Sequence, residues 1–166
     1  MLSANIRAIT ELTQKHLQSV VTIVEPFLNE TNLSMLTAHD SSEQAVVYYK
    51  GILSDLRHLL VFTEVNLEKI WLILHRQQVK DEQANKVLYE VYHQVVNLFF
   101  YPTHESYTED GRYAYSGQDA IRFRYKPDKQ VRQRILHLAK LFEELRDELA
   151  YYESDYLSER RMQLQK

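Results

Sequence analysis

Apolar side chains in this chain recur at alternating steps of three and four residues, in four separate segments. The first reads Ile6, Ile9, Thr13, His16, Val20, Ile23, Phe27. The second reads Val46, Tyr49, Leu53, Leu56, Leu60, Thr63, Leu67, Ile70, Leu74, and the third Ala84, Leu88, Val91, Val95, Leu98. The fourth is Val131, Ile135, Leu138, Phe142, Leu145, Leu149, Tyr152, Tyr156. Steps of three and four average about 3.5 residues, so each segment turns one stripe of a helix toward its partners. Four such helices predict a mainly α fold, a four-helix up-and-down bundle packed at shallow angles. The reading places helices at about 3–28, 43–77, 81–101 and 127–160 in one domain covering residues 1–166. At this length a single core buries roughly 70% of the surface of the unfolded chain.

Helix ends follow from local chemistry. Ser41 and Gln44 have the spacing of a capping box before the second helix, and Asp81 is placed to cap the third. Pro102 stops the third helix, while Pro127 and Asp128 suit the first turn of the fourth. Pro26 is expected to end or bend the first. The connection 29–42 is long and polar, with Leu33, Met35 and Leu36 available to pack back.

Between Pro102 and Pro127 the period changes to alternation. Turn signals at Glu109-Asp110-Gly111 and Gly117-Gln118-Asp119 divide the stretch into short segments. The reading is a small antiparallel β-hairpin or meander at about 105–125, inserted between helices three and four. Tyr113, Tyr115, Ile121, Phe123 and Tyr125 share one face, expected to meet the helices; Arg112, Arg122 and Arg124 share the other. The second helix is predicted longer than the third, so the insertion is expected to cover its remaining length.

Composition removes several functions. There is no cysteine, which excludes disulfides, thiol catalysis and Cys-ligated metal centres. Three glycines leave no room for a glycine-rich phosphate loop. Uninterrupted apolar runs such as Leu59–Phe62 and Leu98–Tyr101 fall far short of the ~20 residues of a membrane span. No secretory pattern opens the chain, so a cytoplasmic protein without membrane association is expected. The net charge of −3 is mild, yet the stretch from Arg112 to Arg134 carries a local +5.

Three groups of residues are singled out. Arg112, Arg122, Arg124, Lys126 and Lys129 form a basic face that suits an anion, nucleic acid or acidic partner, and equally a solvated edge strand. Thr13 and His16 fall in the first seam and make a polar spot in the core, with Thr63 or Tyr49 expected opposite. Leu59, Val61 and Phe62 belong to a helical turn that is apolar all round, which a second copy or the 29–42 connection must cover. Glu90 and His93 have the Glu-x-x-His spacing of di-iron bundles, and Asp55 and His58 nearly do, but helical phase turns His93 and His58 toward solvent, and no metal is expected.

The stretch Tyr107-Thr-Glu-Asp-Gly-Arg-Tyr-Ala-Tyr-Ser-Gly-Gln-Asp-Ala-Ile, with Tyr89-Glu-Val-Tyr-His-Gln before it, resembles the YpuI-like proteins of Bacillus and its relatives. The run Glu148–Tyr156 is similar to their Glu-Leu-x-Tyr-Tyr-Glu-x-Asp-Tyr pattern. The resemblance implies a bacterial cytoplasmic setting and carries no catalytic residue or cofactor. The expectation is a non-enzymatic interaction protein of scaffold or adaptor type, binding a protein partner or forming a homodimer. The alternative is binding of an anion or nucleic acid through the basic face. A small-molecule enzyme or metal protein ranks third.

Overall fold

Residues 1–110 and 120–166 are described by the computed structural model. Helices dominate, and a two-stranded antiparallel sheet interrupts them. The order is α1 (Ala4–Glu30), α2 (Leu33–Leu36), α3 (Glu43–His75), α4 (Asp81–Val91), a π-helical turn over Tyr92–Val96, and α5 (Asn97–Phe100). Then come β1 (Tyr107–Glu109), β2 (Ile121–Phe123), α6 (Lys129–Glu148), a 3-10 turn at Ala150–Tyr152 and α7 (Asp155–Leu164). No helix among the described residues is long and apolar enough to cross a membrane.

Side-chain caps set several helix starts. Ser3, Asn32, Ser42 and Asp128 each accept a backbone N–H from the first turn of the following helix, satisfying donors that the helix itself leaves open. The cap of α3 is therefore Ser42 and not Ser41, and that of α6 is Asp128, with Pro127 just outside. Asp81 is not a cap: its Oδ1 accepts the Ser3 N–H at 2.8 Å and ties the start of α1 to the start of α4. Pro26 lies inside α1, which continues to Glu30 with the proline on its exposed side.

The buried rows run beside the predicted ones. On α1 the fully covered residues are Thr10, Thr13, Leu17, Val20, Val24 and Phe27. They keep Thr13, Val20 and Phe27, and replace Ile9, His16 and Ile23 by the next residue along. On α3 the row Ala45, Tyr49, Ile52, Leu56, Leu59, Thr63, Asn66, Ile70 is buried, with Leu60 and Leu67 at its edge. Both rows alternate by three and four, and the neighbouring helices decide which one faces inward. One contiguous apolar core draws on α1, α3, α4, the π turn, α5, both strands and α6.

Two predicted helices are interrupted. The π turn adds a residue within the third, so Val95, Val96, Phe99 and Phe100 face the core and Leu98 only partly does. The fourth stops at Leu149 and resumes at Asp155, across the 3-10 turn.

β1 and β2 pair as Tyr107↔Phe123, Thr108↔Arg122 and Glu109↔Ile121. The Asp110 N–H donates to the Ala120 carbonyl and the Arg124 N–H to the Ser106 carbonyl, which extends the ladder at both ends. Tyr113, Tyr115 and the Gly117-Gln118-Asp119 turn signal lie outside the described residues. The described part of the insertion meets both α6 and the N-terminal half of α3. Tyr125 and Tyr48 bring their rings to 5.4 Å, and the Tyr49 hydroxyl accepts the Asp128 N–H at 2.8 Å.

Candidate functional site

The surface of α3 carries the largest departure from an ordinary solvated helix. Val47, Val61, Phe62, Val65, Trp71 and Leu72 are each between 37% and 58% exposed. At ~100° per residue, Val47, Val61, Val65 and Leu72 fall within about 40° of one another; Phe62 lies about 60° to one side and Trp71 about 80° to the other, so the two aromatics leave the helix on opposite sides. Trp71 is held in place by stacking on His75 at 4.2 Å. Of the three residues singled out in the sequence, Val61 and Phe62 reach solvent, whereas Leu59 is a core residue at 2% exposure. Leu59 is therefore removed from this surface. Phase explains it, since Leu59 lies ~200° from Val61 on the same helix.

The basic residues divide. On β2 the alternation holds: Ile121 is buried and Phe123 half-buried, with Arg122 and Arg124 exposed between and beyond them. Lys126 and Lys129 are also exposed, and Arg112 lies outside the described residues. Glu109 on β1 pairs with Ile121 and so lies on the opposite, helix-facing side of the ladder, where it accepts from the Arg146 guanidinium at 2.8 Å and holds Arg146 firmly in its charged form. Arg132 sits 5.8 Å over the Phe123 ring.

His16 sits at the edge of the core and bridges helices. Its Nδ1 is 3.0 Å from the Leu12 carbonyl, and its Nε2 is 3.2 Å from Glu144 Oε2 on α6. The partner is thus Glu144, and not Thr63 or Tyr49. Thr13 donates to the Ile9 carbonyl within its own helix. Glu90 pairs with Lys69 at 2.9 Å, and His93 Nε2 contacts the Tyr152 carbonyl at 2.9 Å. His93 is half-buried and faces the 3-10 turn, where plain helical phase had sent it to solvent; it lies inside the π turn, where that phase no longer applies. His58 is exposed, as phase predicts.

A further pair joins α3 to the loop after α5. The Asp55 carboxylate, only 7% exposed, accepts the His104 Nδ1–H at 2.8 Å and the His104 backbone N–H at 3.2 Å. This fixes the imidazole ring and leaves its Nε2 edge outward. Gly51, one turn before Asp55, makes the approach feasible, because a Cβ there would lie 2.9 Å from His104 Cβ.

A family model described as "Protein of unknown function (DUF3907)" matches residues 10–158. The Uncharacterized protein YpuI of Bacillus subtilis (strain 168) is 36% identical over 149 residues, which covers 90% of this chain and 82% of its own length. The chain belongs to this family. The matched region runs from Thr10 on α1 to Ser158 on α7, so the exposed α3 stripe, both strands and the Asp55–His104 pair lie within it. No solved structure matches.

Sequence reasoning missed the pairing of Asp55 with His104, and Asn66. Asp55 and His104 are 49 positions apart and share no spacing pattern. The available signal was Gly51, a glycine inside a strong helix of a glycine-poor chain, which marks close approach of another segment. Asn66 is fully buried with its Nδ2 donating to the Phe62 carbonyl, and it was hidden by Leu67 next to it.

Proposed function

We propose that this family member is a non-enzymatic interaction protein of the cytoplasm, built as an up-and-down four-helix bundle, whose α3 offers an apolar face to another protein. The observation that carries the reading is the exposed stripe of Val61, Val65 and Leu72, with Phe62 beside it, on a helix whose other side is core. Contiguous apolar surface of this kind costs solubility, and on soluble proteins it marks contact sites. Phe62, at the edge of that stripe, is of the aromatic type enriched at protein interfaces.

The test is site-specific photo-crosslinking in cells. A photoreactive residue at Phe62 is expected to give a discrete protein adduct that disappears when Val61 and Val65 are both replaced by aspartate. The same probe at His137, exposed on α6, should give none. Equal adducts at both positions would overturn the reading.

A further inference from the structure

We infer that the occupant of the α3 face is a second copy of this chain, lying antiparallel to the first about a two-fold axis near residue 60. The inference rests on the reading of that face as an interaction surface and goes beyond it by naming the partner and its direction. Four charged residues line one edge of the stripe. At ~100° per residue, Lys50, Arg57, Glu64 and Glu68 all fall within about 40° of one another, beside Val61. All four are exposed, and none forms a side-chain ion pair with another described residue.

Their order is what matters. Along the helix the edge reads base, base, acid, acid. In an antiparallel two-fold pair of helices each edge meets its own copy reversed, as flanking positions do in antiparallel coiled coils. Lys50 then falls opposite Glu68, and Arg57 opposite Glu64. The first pairing centres the axis at residue 59 and the second between 60 and 61, so one axis serves both. The same axis sets Val47 against Leu72, and lays Val65 over Ser54 and Val61 over the exposed His58. A parallel two-fold pair would instead set this edge against the opposite, Phe62 side of the partner's stripe, and neither the Lys50–Glu68 nor the Arg57–Glu64 pairing would form.

Size sets the strength. The stripe from Val47 to Leu72 is ~38 Å long and about 10 Å wide, so each copy covers only about 400 Å², the small end for specific contacts. The expected dimer is reversible and assembles at a few hundred micromolar.

Sedimentation equilibrium on the full chain decides the matter, with folding of every variant checked by circular dichroism. Wild type is expected to dimerise reversibly. Lys50→Glu/Arg57→Glu makes the edge wholly acidic and Glu64→Lys/Glu68→Lys makes it wholly basic. Each alone should self-associate at least about tenfold more weakly. Mixed one to one, the two variants should form a heterodimer at least as tight as wild type, and added salt should weaken it. Wild type that remains monomeric throughout this range would overturn self-pairing and leave the crosslinking at Phe62 to judge the face itself. Charge variants that dimerise as well as wild type would overturn the antiparallel register. If Val61→Asp/Val65→Asp also dimerises as well as wild type, the α3 face is not the contact, and that reading falls too.

Discussion

Gly51 is a residue at which two physical arguments give opposite signs. Inside a helix, glycine is about 1 kcal/mol worse than alanine, so helix propensity alone makes Gly51→Ala stabilising. Contact geometry says the reverse. The new Cβ would sit 2.9 Å from the Cβ of His104, the rigid root of that side chain and not its flexible end. His104 cannot retreat without stretching its two bonds to Asp55, at 2.8 and 3.2 Å. Overpacking of this kind costs about 1–3 kcal/mol, so Gly51→Ala is expected to lose about 1 kcal/mol net. Adding Asp55→Ala frees the loop, and in that background the alanine at 51 should cost less, as coupled neighbours do. Thermal unfolding of the two single variants and the double variant supplies the comparison. A melting temperature raised by Gly51→Ala alone would mean that His104 gives way freely.

The elements themselves were largely legible, because periodicity reports a helix whatever it packs against. Its face was harder to read. Thr13, Val20 and Phe27 on α1 belong to both candidate rows, and only the approach of α3 and α6 selects Leu17 and Val24 over His16 and Ile23. The π turn was invisible for a related reason: one extra residue per turn leaves the composition of Tyr92–Val96 helical while rotating everything after it. Of the candidate site, Val61 and Phe62 could be read because an all-round apolar turn leaves something uncovered. Asp55 and His104 could not, since their pairing depends on the path of the chain after Pro102. One contact between elements has a clear pH signature. The Tyr125 hydroxyl after β2 donates to Asp40, which precedes α3, and this bond together with Ser42 holds the Asp40 carboxyl below its ordinary range. A depressed carboxyl contributes stability that is present above the unfolded value of about 3.9 and is lost as pH falls through the folded value. Asp40→Asn should therefore melt below wild type by a constant margin from neutral pH down to about 5, and the margin should shrink below about 4. A margin unchanged down to the most acidic point would show that the carboxylate charge adds nothing to this bond.

At the scale of the whole molecule, the 3-10 turn and α7 close one end of the core, and their parts are unequal. Tyr152 donates its hydroxyl to Asn85 Oδ1 at 2.6 Å, and its carbonyl faces His93 Nε2. Tyr156 is buried and lies 5.6 Å from the rings of both Tyr89 and Tyr152. Beyond Ser158 the side chains are exposed, and the contact from Arg160 to Glu82, at 3.6 Å, is a surface pair. Such pairs contribute about 0–1 kcal/mol. Removing everything after Ser158 should therefore lower the melting temperature by no more than roughly 4 °C. Removing everything after Leu149 takes both buried tyrosines, and truncating one large buried aromatic already costs about 3–5 kcal/mol. Two such losses approach the ~5–15 kcal/mol total of an ordinary domain, so this shorter chain should show no cooperative unfolding transition. Circular dichroism melts of the two truncations test the contrast. Similar melting of both would mean that α1, α3 and α6 hold the core closed without the tyrosine cluster.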